Sequence, residues 1–572
     1  MLKIFSPKYV WIYSVIAILA IFFRIAVPGN YPFGFDQVQI LENSTTISQG
    51  DLVLLGPRTG PASMFTGPLI YYLAAIFQFF THTPYIVVFT AILISISTGL
   101  ITFWLTNRYL EKKTALVFFF LWAVSPLMVT FDRIPWNPSL TFLGAALAFL
   151  PFFAKKHGWL DISLIAIGVF LGYQAHFTTL FLLPLVCLST IMVVSSNKNK
   201  VLIIGASTIA FFSSLLPTIV FDYRHQWLNY QGFLAMLGKK GSETDPSYLE
   251  KLFHQALIVV ETLGKVLIVE APFLLYLVIG AAFLFFYGQN TWKNNLDKSL
   301  KLPILWIVFV VVIFSFYNGQ TPEYYFFILL PALFFVVSKV LVQLNYKVLS
   351  ILSIFFITYV SLSFFNTVLS QSGFRLGTQI KTAEYLEKLQ NSESIAHIYY
   401  DMPEIETVGI KYLLNQKNIT ETSSGIVLHL EYPFKDTVFE HRLFSEDVAV
   451  WQDTRTSDKN YITNAKYLLS MPNEYRAYQS FETEDLGSAT VSYVIFQENT
   501  KVGLIQIYDK LYSVSAFNGI KTNSRATPEI VEQTSSWRPL DSNSSFFENA
   551  QYGVVLTNLE ATSLESIILV KL

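Results

Sequence analysis

The chain has 572 residues, of which 53% are hydrophobic, 16% aromatic and only 14% charged, with a mean hydropathy of +0.45. That balance excludes a soluble chain of this length and points to a polytopic membrane protein. The net charge of −1 singles out no partner, a nucleic acid is not among those expected, and the single cysteine, Cys187, excludes an intrachain disulfide framework.

In chain order, the apolar stretch from Tyr9 to Val27 follows Lys3 and Lys8, is as long as a bilayer-spanning helix and lacks a small-residue cleavage site. It is expected to be a retained anchor rather than a signal peptide. Positive charge resists translocation, so Lys3 and Lys8 keep the N-terminus inside and deliver residues 29–84 outside. Within that loop Thr66 to Phe80 is apolar but short for a span, and counting it as one would invert every later loop against the charge rule. It is expected as a juxtamembrane or re-entrant helix.

Spans are then expected at about 85–106, 114–131, 139–154, 160–175, 177–195, 201–221, 270–288, 303–317, 323–341 and 347–368, and the inside turns NRYLEKK, AKKHGW, SSNKNK and TWKNNLDKSLK are all basic. With the anchor this makes about eleven helices, and residues 222–254 form an external loop. Residues 1–370 thus form a transmembrane domain. Residues 371–572 lack a spanning segment and form a second, extracytoplasmic domain. Its opening, IKTAEYLEKLQ then IAHIYYD, has helix-then-strand patterning, and later runs such as GIVLHLEY, GLIQIYDKLYSV and YGVVLTNL alternate like half-buried strands, so an α/β or β-rich domain is expected. No repeat, phosphate-cradling glycine loop or zinc-spaced cluster stands out.

Four polar motifs interrupt the apolar runs: FDQ at 35–37, FDRIPWNPS at 131–139, FDYRHQ at 221–226 and NGQTPEYY at 318–325. Charge in hydrocarbon is costly and charge in a wet cavity is not. By the lysine and arginine threading all four motifs fall on the external side, which suggests one shared site. Asp36 is placed to accept a proton as general base, or else is a solvated loop residue or helix cap. Arg133 can fork onto phosphate oxygens, with Asp132 and Asn137 beside it; the alternative is an Asp–Arg pair capping helix ends. Arg58 is placed to meet an anionic headgroup, or is a plain interfacial arginine. His176 lies at a tight external turn, where a lone histidine is more often structural than functional. Asp222, Arg224 and His225 can bind an anion or serve as an interfacial anchor. Glu323, Tyr324 and Tyr325 begin an inward helix after Pro322 and can contact carbohydrate or lipid, or belong to an aromatic belt.

These residues resemble the GT-C superfold of polyprenyl-phosphate-sugar-dependent membrane glycosyltransferases, and in particular bacterial members similar to protein mannosyltransferases and aminoarabinose transferases. The resemblance covers about residues 1–370: Asp36 matches the acid of the first external loop, GPRTGPASMFTGPLIYYLAA matches the loop-helix region with Arg58 near the usual basic residue, and His176 stands where relatives often carry a basic residue. It implies transfer of a sugar from a polyprenyl-phosphate donor with inversion, Asp36 activating the acceptor and Arg58, Arg133, His176, Arg224 and His225 meeting the donor phosphate, while Asp132, Asn137, Asp222, Glu323, Tyr324 and Tyr325 contact substrate. Where relatives frequently have a second aspartate this chain has Asn137, so metal-independent chemistry without a cofactor is expected. The acceptor is expected to be a lipid, protein or glycan, and the location a bacterial cell membrane. The competing reading is a transporter or flippase of a lipid-linked or small polar substrate. It is disfavoured because the polar groups lie at one surface and not at the midplane of a repeated half-structure.

Overall fold

The computed structural model describes residues 7–59, 64–238, 247–268, 272–292, 298–317, 321–364, 373–422, 426–432, 441–445 and 448–453, followed by isolated strands to residue 571. Two compact units divide the chain, Met1–Gly377 and Thr378–Leu572.

The first unit is built from α1 (Pro7–Ile25), α2 (Phe35–Ser48), α3 (Leu69–Gln78), α4 (Ile86–Tyr109), α5 (Lys112–Val124), α6 (Pro126–Asp132), α7 (Thr141–Phe149), α8 (Trp159–Ala175), α9 (Leu182–Val193), α10 (Asn197–Arg224), α11 (Leu228–Gly238), α12 (Tyr248–Lys265), α13 (Phe273–Trp292), α14 (Lys298–Phe314), α15 (Leu330–Leu341) and α16 (Tyr346–Phe364). A two-stranded hairpin, β1 (Arg58–Thr59) with β2 (Met64–Phe65), precedes α3. Each apolar run expected to span carries a helix. Among the described residues four helical segments are long and apolar enough to cross a membrane by themselves, at 86–109, 197–224, 323–341 and 347–364, and the bent pair α5–α6 makes a fifth if it is one span. The remaining apolar helices are shorter, as proline and glycine break the runs: α7 is flanked by 3-10 turns at Asn137–Leu140 and Leu150–Phe153.

The stretch 222–254, expected as an external loop, instead carries α11 and the start of α12. Helix α12 opens on a capping box in which the Ser247 hydroxyl accepts from the Glu250 N–H at 3.3 Å and Glu250 accepts from the Ser247 N–H at 2.7 Å. Its amphipathic pattern was overlooked because it lies between charged residues and not in an apolar run.

The core is a dense aliphatic and aromatic packing of α4, α5, α7, α8, α9, α14 and α15, with Phe118, Phe142, Phe149, Phe334 and Trp306 fully buried. Helices α7 and α8 meet backbone to backbone, and a Cβ added at Gly168 would stand 2.6 Å from the Gly144 carbonyl oxygen.

Helix α17 (Leu376–Ser392) leads from the first unit into the second, whose strands β3 (Ile395–Asp401), β4 (Ile426–Glu431), β5 (His441–Ser445) and β6 (Val448–Asp453) form a sheet in the order β3-β4-β6-β5. The β3–β4 pair is parallel and joined through α18 (Glu404–Gln416), the helix-and-strand alternation expected from its sequence, and the other pairs are antiparallel. Beyond residue 453 short antiparallel strands occur at Gly503–Ile507, Lys510–Val514, Tyr552–Leu556 and Ile567–Lys571, inside the runs expected as strands. The β-rich packing expected there lies largely outside the described residues.

Candidate active site

Three joints place the loop that carries Asp36. The first is a break in the α5–α6 span. Pro126 has no N–H, so the Trp122 carbonyl loses its helical donor, and the two helices bend by 51°. Arg24 of α1 fills the gap: its guanidinium donates to the carbonyls of Trp122 at 3.0 Å and Ala123 at 2.8 Å, lies over the Trp122 ring at 4.3 Å, and pairs with Asp132 at 2.7 Å. Arg24 was not singled out from the sequence. The available signal was an arginine inside an apolar span, which requires a buried partner.

The second joint runs the other way. Arg133, at the end of α6, donates to the carbonyls of Phe23, Ala26 and Val27 at 3.2, 2.8 and 3.2 Å, and its guanidinium stands over the Tyr31 ring at 4.3 Å. These carbonyls lie at and just beyond the C-terminus of α1, where Val27 turns through a positive φ of 49° and its carbonyl also accepts from the Asn30 N–H at 3.0 Å. The pairing raised from sequence, Asp132 with Arg133, is thus replaced by two separate unions. Asp132 is held by Arg24, and Arg133 caps α1. Neither residue offers an uncommitted charge to a substrate.

In the third joint, Gln37 reaches back to accept from the Gly34 N–H at 2.9 Å and across to donate to the Pro135 carbonyl at 2.8 Å. This seats the first turn of α2 on the 133–137 turn. Asn137 ties that turn onward to Thr66 at 3.4 Å and to the Ala175 carbonyl.

Asp36 sits in the first turn of α2, partly buried, and among the described residues its carboxylate accepts no hydrogen bond and joins no ion pair. Burial raises its pKa above the ordinary carboxylate value. It lies within electrostatic reach of Tyr71 of α3 and of Tyr324, which stands in the 3-10 segment Glu323–Leu329 leading into α15. Tyr324 packs against Trp136 at 4.9 Å, against His176 at 5.4 Å and against Tyr325 at 5.0 Å, and Trp136 stacks on Phe131. Among the described residues this places a carboxylate with no hydrogen bond or ion pair within electrostatic reach of an aromatic cluster. His176 is 6% exposed, shares a hydrogen bond with the Thr178 hydroxyl at 2.9 Å, and is driven by burial down to about 3, so it is a neutral imidazole rather than a cation. Glu323 is engaged by Lys265 at 3.1 Å, which also holds Glu261 at 2.9 Å, and the second carboxylate oxygen of Glu323 is buried without a hydrogen-bond partner among the described residues.

The FDYRHQ group is divided. Asp222 is buried and accepts from the N–H groups of Asn229 at 2.8 Å and Tyr230 at 2.9 Å, so it caps the N-terminus of α11. Arg224 and His225 are exposed, and the His225 ring lies flat on Phe221 at 3.9 Å. Arg58 is exposed on β1. The structure therefore gathers Asp36, Asn137, His176, Tyr324 and Tyr325 around one turn, places Glu323 at its edge, and turns Asp132, Arg133 and Asp222 to internal bonds. Residues 318–320 of the NGQTPEYY motif lie outside the described set.

No family model and no curated protein matches the chain in sequence. Its structure is similar to that of ArnT from Cupriavidus metallidurans bound to undecaprenyl phosphate, with a TM-score of 0.51 at 10% identity, covering 79% of this chain and 99% of that one. It is similar to the same protein in the apo state, with a TM-score of 0.51 at 9% identity, covering 78% and 98%. The archaeal oligosaccharyltransferase AglB from Archaeoglobus fulgidus, in complex with an inhibitory peptide and a dolichol-phosphate, matches at a TM-score of 0.40 and 13% identity over 71% of this chain and 59% of that one. At such identities the likeness is one of fold alone.

Proposed function

We propose that the chain is an inverting membrane glycosyltransferase that moves a sugar from a polyprenyl-phosphate-linked donor to an acceptor on the extracytoplasmic face, with Asp36 as general base. The observation that carries this reading is the Asp36 carboxylate at the start of a loop helix, unpartnered among the described residues and within electrostatic reach of Tyr324, whose ring meets Trp136 and His176. The fold shared with an ArnT bound to undecaprenyl phosphate supports a lipid phosphate as leaving group. In the step, an acceptor hydroxyl or amide gives its proton to the Asp36 carboxylate as its heteroatom attacks the anomeric carbon. The bond from that carbon to the phosphate oxygen breaks on the opposite face, and the electron pair leaves with the phosphate.

Within this reading the aromatic cluster of Trp136, Tyr324 and Tyr325 presents ring faces to the sugar, and Asn137 holds the turn that carries Trp136. Of the basic residues expected at the phosphate, Arg58, Arg224 and His225 keep exposed side chains, and the two arginines carry the phosphate role here. The full set of about eleven crossings, with the short helices completing the bundle, an inside N-terminus, an external second unit and a bacterial cell membrane belong to the same proposal. The neutral state of His176 gives it an orienting role rather than a charge-stabilising one.

The test is to incubate purified wild type and Asp36→Asn in detergent with a panel of undecaprenyl-phosphate hexoses and pentoses, with membrane extract as acceptor source, and to measure released undecaprenyl phosphate. Release by the wild type alone supports the reading. Equal release by both removes Asp36 from the chemistry, and binding without release favours a carrier.

A further inference from the structure

The carboxylate of Asp36 is held by no hydrogen bond among the described residues, so only the backbone of the first turn of α2 fixes where it points. That backbone is set by its neighbour Gln37, which is 5% exposed. One half of the Gln37 amide accepts from the Gly34 N–H at 2.9 Å and starts the helix. A glutamate at the same position would do that equally well. The other half donates to the Pro135 carbonyl at 2.8 Å, a bond between residues 98 positions apart that a carboxylate cannot make.

Pro135 is a firm reference point. Arg133 on one side is committed to the carbonyls of α1, and Asn137 on the other to Thr66 and Ala175. Between them Trp136 carries the ring that packs on Tyr324.

We propose that Gln37 is the positioning residue for the general base: by bridging Gly34 and Pro135 it fixes the distance between the Asp36 carboxylate and the Trp136–Tyr324 cluster. This rests on the glycosyltransferase reading and goes beyond it, since it assigns a role to a residue that touches neither substrate nor the reacting atoms. The titratable groups in electrostatic contact with Asp36 are Tyr71 of α3 and Tyr324.

The experiment compares full-length wild type, Asp36→Asn, Gln37→Glu and Gln37→Leu in detergent, by release of undecaprenyl phosphate from the active undecaprenyl-phosphate sugar across pH and by thermal midpoint. Both Gln37 variants are expected to lose about ten- to a hundredfold in kcat with KM close to wild type, because the base is displaced and substrate contacts are not. Gln37→Glu keeps the helix start and so controls for folding. Its added negative charge beside Asp36 is expected to move the acid limb of the pH profile upward by about one unit. If Asp36→Asn is inactive while both Gln37 variants keep the wild-type kcat and acid limb, the positioning role is overturned and the role of Asp36 stands. If kcat falls only in proportion to the folded fraction, Gln37 is structural and the proposal is likewise overturned. If Asp36→Asn releases lipid phosphate like the wild type, the underlying reading has failed together with it.

Discussion

Arg24 and Asp132 form an ion pair at 2.7 Å with side chains only 1% and 5% exposed, joining α1 to the end of the broken α5–α6 span. The Arg24 guanidinium also supplies the carbonyls of Trp122 and Ala123 that the bend at Pro126 leaves without helical donors. Arg133, the neighbour of Asp132, donates in return to the carbonyls of Phe23, Ala26 and Val27 at the end of α1 and just beyond it. Two arginines thus exchange places between two helix ends, and the loop to Asp36 starts where they cross.

Breaking this union is costly. Arg24→Met leaves a buried carboxylate and two unserved carbonyls, and a loss of about 3–5 kcal/mol is expected. The double variant Arg24→Met/Asp132→Leu is expected to lose less than the sum of the single variants, because it removes the orphaned charge. Thermal unfolding in detergent measures both, and additive losses would show that the pair is uncoupled.

Arg133→Lys separates a capping role from a phosphate-binding one. A lysine cannot present the planar fork that reaches the carbonyls of Phe23, Ala26 and Val27, so the thermal midpoint is expected to fall. Undecaprenyl phosphate added to the variant is expected to bind the folded fraction with wild-type affinity. A selective loss of affinity at unchanged stability would instead put Arg133 on the phosphate.

Asp36→Asn is expected to lower turnover by about 100- to 10,000-fold. Burial raises the Asp36 pKa, which means the folded state favours the protonated acid. Its contribution to stability is therefore present at low pH and lost as pH rises through the raised value. At neutral pH the amide is free of that loss, so the inactive variant is expected to melt at or above the wild-type temperature. The same shift places the acid limb of wild-type turnover above the ordinary carboxylate range, and a limb inside that range would exclude Asp36 as the titrating base.

Tyr324→Ala removes a ring that meets Trp136, His176 and Tyr325. If the cluster is a platform for the sugar, KM for the donor is expected to rise about tenfold or more, at the level of one to two kcal/mol of ring contact. Unchanged KM with reduced stability would leave the cluster as packing alone.

The sequence by itself determined the class of the protein and the positions of its apolar helices, because hydropathy and its periodicity act over short stretches of chain. The helix-then-strand opening of the second unit was legible for the same reason. It could not determine which charges were available. Arg24 and Asp132 are 108 residues apart, Arg133 meets carbonyls more than a hundred residues upstream, and Asp222 turns to cap a helix that follows it, so Asp132, Arg133 and Asp222 read as candidate ligands in the sequence and Arg24 does not stand out at all. A buried charge takes whatever partner the packing brings within reach. Tertiary structure thus decided which of the polar residues were spent on the fold, and left the Asp36 carboxylate without a hydrogen bond or ion pair among the described residues, within electrostatic reach of Tyr71 and Tyr324.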